Sequence, residues 1–103
     1  MDVNIVKDGK KATLSMAGEL SVSTAPDLEN AINSLPEDIC DINIDLAEVD
    51  YVSSAGLRAL IAAGKVAEGR GGNLRVLNVC EDIREVFEMT GLDEVFMNDQ
   101  TEG

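Results

Sequence analysis

The chain has 103 residues, 45% of them hydrophobic and 27% charged, and a formal net charge of −12. That length supports one hydrophobic core, so a single domain spanning residues 1–103 is expected. The acidic balance argues against nucleic acid and anionic membrane as direct partners, because both are bound through Lys/Arg clusters; it would steer a basic protein toward the chain, or serve solubility alone.

In chain order, Asn4 to Val6 and Lys11 to Met16 read as strands joined by Lys7-Asp8-Gly9-Lys10, where Asp-Gly signals a hairpin turn. Ala12, Leu14 and Met16 alternate with Thr13 and Ser15, so one face of the second strand should be buried. Gly18-Glu19-Leu20-Ser21 leads to a helix that Ser23 or Thr24 can cap, with Pro26 and Asp27 suited to its first turn. Leu28, Ala31, Ile32 and Leu35 form its buried stripe, and Pro36 ends it. Asp41 to Leu46 alternates as a strand. Ser53-Ser54-Ala55-Gly56 then opens a second helix running to about Ala67. Leu57, Leu60, Ile61 and Gly64 make its expected core face; Ala55, Arg58, Ala62, Lys65 and Gly69 make an outward stripe of small residues and cations. Gly69 to Gly72 stop that helix, and Leu74 to Val79 reads as a strand. Ile83, Val86, Phe87 and Thr90 mark a third helix closed by Gly91, and Val95-Phe96-Met97 a short last strand. The order β-β-α-β-α-β-α-β predicts an α/β fold, a mixed sheet with helices packed mainly on one face. With two Phe and one Tyr, its core must be aliphatic.

The chemistry is bounded by what is missing. There is no histidine, so neither a Ser-His-Asp triad nor a Cys-His pair can form. Cys40 and Cys80 lack the partners of a zinc site and are expected as buried free thiols. Gly69-Arg70-Gly71-Gly72 follows a helix and precedes a strand, the reverse of a phosphate-binding loop. The carboxylates fall mostly on polar strand positions, caps and loop ends. No metal site and no cofactor is expected. The opening Met1-Asp2-Val3-Asn4 lacks a basic stretch followed by an apolar run. No segment approaches the roughly 18 apolar residues of a membrane span, so a cytoplasmic protein is expected.

Val52-Ser53-Ser54-Ala55-Gly56-Leu57-Arg58 remains. It lies at a strand-to-helix junction, where α/β sheets bind ligands and partners. Serines there suit helix capping. A hydroxyl at a helix start also tolerates an added phosphoryl group, because free N–H groups and the dipole accept an anion, and Arg58 stands four residues beyond Ser54. Phosphorylation would put about −1.5 to −2 charges on one exposed spot without refolding the chain.

Gly18-Glu19-Leu20, the strand Ile42 to Leu46, Tyr51-Val52-Ser53-Ser54-Ala55-Gly56-Leu57, Gly71-Gly72-Asn73-Leu74 and Val86-Phe87-Glu88-Met89-Thr90-Gly91-Leu92 occur here in one order. In this combination the chain resembles the STAS domain of bacterial anti-sigma factor antagonists. The resemblance implies a protein that binds an anti-sigma factor serine kinase and is released when that kinase phosphorylates it. A metal-dependent serine phosphatase restores it. It implies Ser54 as the phosphorylation site and a partner-binding surface around Ser21, Ser53, Ala55, Gly56 and Arg58. ATP and Mg²⁺ would belong to the kinase. Many members carry Asp where Ser53 and Ser21 stand, which makes Ser53 a rival acceptor. The usual final helix is expected to be short or missing. Two other readings stand beside this one: a STAS interaction module that regulates a transporter, secretion or lipid-transport complex without a sigma factor, and a small enzyme built on Cys40, Cys80 or a carboxylate pair.

Overall fold

The computed structural model describes residues 3–91. Its elements are β1 (Asn4–Asp8), β2 (Lys11–Leu20), α1 (Ala25–Asn33), β3 (Asp41–Val52), α2 (Ser54–Gly69), β4 (Leu74–Leu77) and α3 (Glu81–Thr90). The strands form one mixed sheet in the order β1-β2-β3-β4, with β1 antiparallel to β2 and the other two pairings parallel. These seven elements follow the expected order. The expected last strand at Val95-Phe96-Met97 and the expected fate of a final helix lie outside the described residues.

The hairpin follows from one glycine. Asp8 pairs with Lys11, so Gly9 and Lys10 alone make the turn, and Gly9 takes φ +64° in the first central position. A side chain there would meet the following carbonyl; glycine has none. The parallel pairs need crossovers, and α1 and α2 supply them between β2, β3 and β4.

Two strands run further than the alternation predicts. β2 extends to Leu20 and β3 to Val52. The register explains why. Ser15 pairs with Asp45 but Ala17 with Glu48, and Gly18 pairs with Val49 but Glu19 with Tyr51. Each step inserts an extra residue into β3, so its buried side chains fall at Leu46, Val49 and Val52, three apart instead of two. A bulge of this kind hides a strand from any period-2 search and bends it locally.

Ala12, Leu14 and Met16 are buried and face the buried Ile42 and Ile44 across the β2–β3 pair. All three helices join the same buried cluster: Leu28 and Ile32 from α1, Leu60 and Ala63 from α2, Ile83 and Phe87 from α3. The cluster is aliphatic apart from Phe87, as the composition requires. Burying one such Leu, Ile or Phe contributes about 1.5–3 kcal/mol. On α2 the buried residues are Gly56, Ala59, Leu60, Ala63 and Ala67, whereas Leu57 and Ile61 are half-buried. The core face is therefore rotated from the expected Leu57-Leu60-Ile61-Gly64 stripe. Small residues line the contact because the separation of packed elements follows the side chains between them.

The Gly69–Gly72 run stops α2, as expected, and it also secures a distant loop. Arg70 donates from Nη1 to the Pro36 and Ile39 carbonyls, both at 2.9 Å, and from Nη2 to the Leu35 carbonyl at 3.4 Å. Hydrogen bonds from a charged donor contribute about 1.5–3 kcal/mol, so this one side chain holds the α1–β3 connection against the end of α2. Gly72 lies against the Cys40 backbone, where a Cβ has no room. Cys40 and Cys80 are free thiols, half-buried and not fully buried as expected; each sits at the margin of an element instead of on its inward face. No helix among the described residues is long and apolar enough to cross a membrane.

Candidate functional site

The parallel pairing of β2 with β3 builds the site. Leu20 and Val52 are register partners at the last rung, so the residues after them, Ser21 and Ser53, leave the sheet side by side. The Ser53 N–H donates to the Leu20 carbonyl at 2.9 Å and locks the start of α2 against the end of β2. Gly56 makes that contact possible. A Cβ on it would stand 2.6 Å from the Leu20 carbonyl oxygen and 3.0 Å from side-chain atoms of Leu20 and Val52.

The two serines have different occupations. Ser53 is the N-cap of α2: its Oγ accepts from the Gly56 N–H at 3.2 Å and its carbonyl accepts from the Leu57 N–H at 2.9 Å. Ser53 is half-buried. Ser54 is the first helical residue, is exposed, and its hydroxyl has no partner among the described residues. The capping task thus falls on one serine and leaves the other free. The Ser54 and Ala55 N–H groups lie in the first turn, where no intrahelical acceptor reaches them. That turn contains no acidic residue. Ser53→Ala is expected to lower stability by about 0.5–2 kcal/mol, read from urea unfolding, because the cap is lost.

The neighbouring loop is held by Thr24, not by Ser21. Thr24 Oγ1 donates to the Glu19 carbonyl at 2.7 Å and accepts from the Ser21 N–H at 2.8 Å. Thr24 is the N-cap of α1 by backbone position, yet its side chain makes no cap bond because it is turned to this task. Ser21 and Ser23 hydroxyls lie 3.2 Å apart. The result is a short polar shelf beside Ser54.

A groove between α1 and α2 opens next to that shelf. Val22, Ala25, Pro26 and Glu29 form one wall; Ala55, Arg58, Ala59 and Ala62 form the other. Val22, on the first wall, is 76% exposed. Of the site residues expected from sequence, Ala55 and Arg58 line the groove, while Ser21, Ser53 and Ser54 do not line it but precede the lining residues Val22 and Ala55 in the chain. Gly56 is buried beneath them and has no surface to offer a partner; its part is to seat α2 on β2. Val22, Pro26 and Glu29 were not among the expected residues. The run Ser21-Val22-Ser23-Thr24 carries no periodicity, so its single apolar residue gives no signal of facing outward.

The domain family described as "Mlab, STAS domain" matches residues 3–98. The anti-sigma-B factor antagonist of Bacillus subtilis (strain 168) is 30% identical over 95 residues, which cover 92% of this chain and 87% of that one. Among solved structures, an anti-sigma factor antagonist from Mycobacterium paratuberculosis is similar with a TM-score of 0.77 at 28% identity, covering 92% of this chain and 81% of its own. The Bacillus cell fate determinant SpoIIAA in its phosphorylated form has a TM-score of 0.74 at 16% identity, covering 92% and 88%, a likeness of fold. The chain belongs to the STAS domain family of anti-sigma factor antagonists.

Proposed function

We propose that this chain is a phosphorylation-switched binding protein that sequesters an anti-sigma factor acting as a serine kinase, and that Ser54 is the switch. The reading rests above all on the division of labour at the head of α2. Ser53 is committed to the cap, while Ser54 offers an exposed, unengaged hydroxyl one residue before Ala55, which lines the α1–α2 groove. The partner docks over Ser21, Ser53, Ala55 and Arg58, with Gly56 holding the surface in place, and Val22 supplies apolar contact. The kinase transfers the γ-phosphoryl group of its ATP to the Ser54 oxygen, releasing ADP and the hydroxyl proton. The new charge of about −1.5 to −2 then faces the docked protein and the complex separates. The names of the relatives support an anti-sigma factor as partner, and the phosphorylated SpoIIAA structure supports the fold tolerating the modification. A serine phosphatase returns the chain to its binding form. In this reading the chain is not an enzyme, carries no cofactor of its own and works in the cytoplasm.

The test is a titration of the chain against a kinase-type anti-sigma protein, with and without Mg²⁺-ATP. A complex that forms without ATP hydrolysis and dissolves as phosphorylation proceeds is expected. A complex whose affinity ignores phosphorylation would favour the second reading, a STAS interaction module in a transporter, secretion or lipid-transport complex.

A further inference from the structure

We propose that Arg58 is the intramolecular counter-ion of the phosphoryl group on Ser54, so that phosphorylation also withdraws this cation from the docking groove. The inference rests on Ser54 being the acceptor. Both residues are exposed and lie on the continuous helix α2, four positions apart. Residues at that spacing sit one above the other on one helix face, with Cβ atoms about 5–6 Å apart. The guanidinium is uncommitted in the unmodified chain: among the described residues it makes no hydrogen bond or ion pair. Glu29 lines the opposite wall of the same groove, yet does not pair with it. The first turn of α2 holds no carboxylate to compete. Arg70, by contrast, is already spent on three backbone carbonyls.

A phosphoserine at position 54 therefore meets an unpaired, planar donor suited to bidentate contact with phosphate oxygens. In the unmodified chain the same guanidinium faces a partner. In the phosphorylated chain it folds back along its own helix. The switch then has two components: a new anion at the head of α2, and the loss of a cation from the groove wall. Lys65 is on the same outward stripe but eleven residues from Ser54, roughly 16 Å along the helix, beyond the Debye length of about 10 Å at 0.1 M salt.

The experiment installs phosphoserine at position 54 during translation, so no kinase is needed, and follows its second ionisation by ³¹P NMR. A nearby cation favours the dianion and lowers that pKa. The wild-type chain is expected to titrate a few tenths of a pH unit below Arg58→Gln at about 0.1 M salt, with Arg58→Lys between them and Lys65→Gln matching wild type. Circular dichroism confirms that each variant is folded. Equal values in wild type and Arg58→Gln would overturn the proposal. So would an equal shift from Lys65→Gln, since net charge alone would then account for it. Failure of a kinase to modify Ser54 counts against the switch itself and leaves this titration unaffected, so the two failures are told apart.

Discussion

Ser54→Asp is expected to weaken binding of the kinase-type partner at least about tenfold, which is 1.4 kcal/mol, while Ser54→Ala stays within about twofold of wild type. The difference follows from position. Ser54 is exposed at the first helical residue, and its hydroxyl serves no structural purpose among the described residues. Removing it costs the fold little. Adding a carboxylate costs the fold little too, because an anion in the first turn agrees with the helix dipole. What the carboxylate changes is the outer surface, beside the groove lined by Ala55 and Arg58. Isothermal titration of both variants reads the effect directly. Unfolding curves that overlay wild type confirm that binding, and not stability, has moved.

Gly56→Val is expected to lower stability far more than any other single change at this site. Gly56→Ala already brings a Cβ to 2.6 Å from the Leu20 carbonyl oxygen, a backbone atom that cannot swing aside. That carbonyl also accepts the Ser53 N–H, so the clash pushes on the bond that fixes α2 to β2. Overpacking of this kind costs about 1–3 kcal/mol, against a helix-propensity gain of roughly 1 kcal/mol for alanine. Gly56→Val adds two methyl groups to the same closed space, and a loss of several kcal/mol is large against a domain stability of about 5–15 kcal/mol. Gly69→Ala is the control. It ends the same helix with nothing within 4 Å of its added Cβ, and it should be neutral or slightly stabilising. The midpoints of urea unfolding rank the three.

The seven described elements are legible in the sequence because each carries its own local mark: Gly9 for the hairpin, Pro26 for the start of α1, Gly91 at φ +78° for the end of α3. Two features are not. The second half of β3 is invisible to alternation because two inserted residues break the register, and that half delivers Val52 to the site. The inward face of α2 is also displaced. A sequence search follows the largest apolar residues, Leu57 and Ile61, while the helix buries Gly56, Ala59, Leu60, Ala63 and Ala67. At the site itself, the pair Ser53-Ser54 is visible in sequence, but which hydroxyl caps the helix depends on where the helix begins, and a one-residue shift would exchange their roles. In the folded chain the Gly56 N–H donates to Ser53, which is therefore the cap. The groove wall contributed by Val22, Pro26 and Glu29 needs the packing of α1 beside α2, which no local pattern encodes.

The most direct measurement is to incubate the chain with a kinase-type anti-sigma protein and Mg²⁺-ATP and map the modified residue by fragmentation mass spectrometry. One phosphoryl group on Ser54, absent from the Ser54→Ala chain, is the predicted result. A phosphoryl group on Ser53, or an unmodified chain in a complex that forms and persists, would contradict the account.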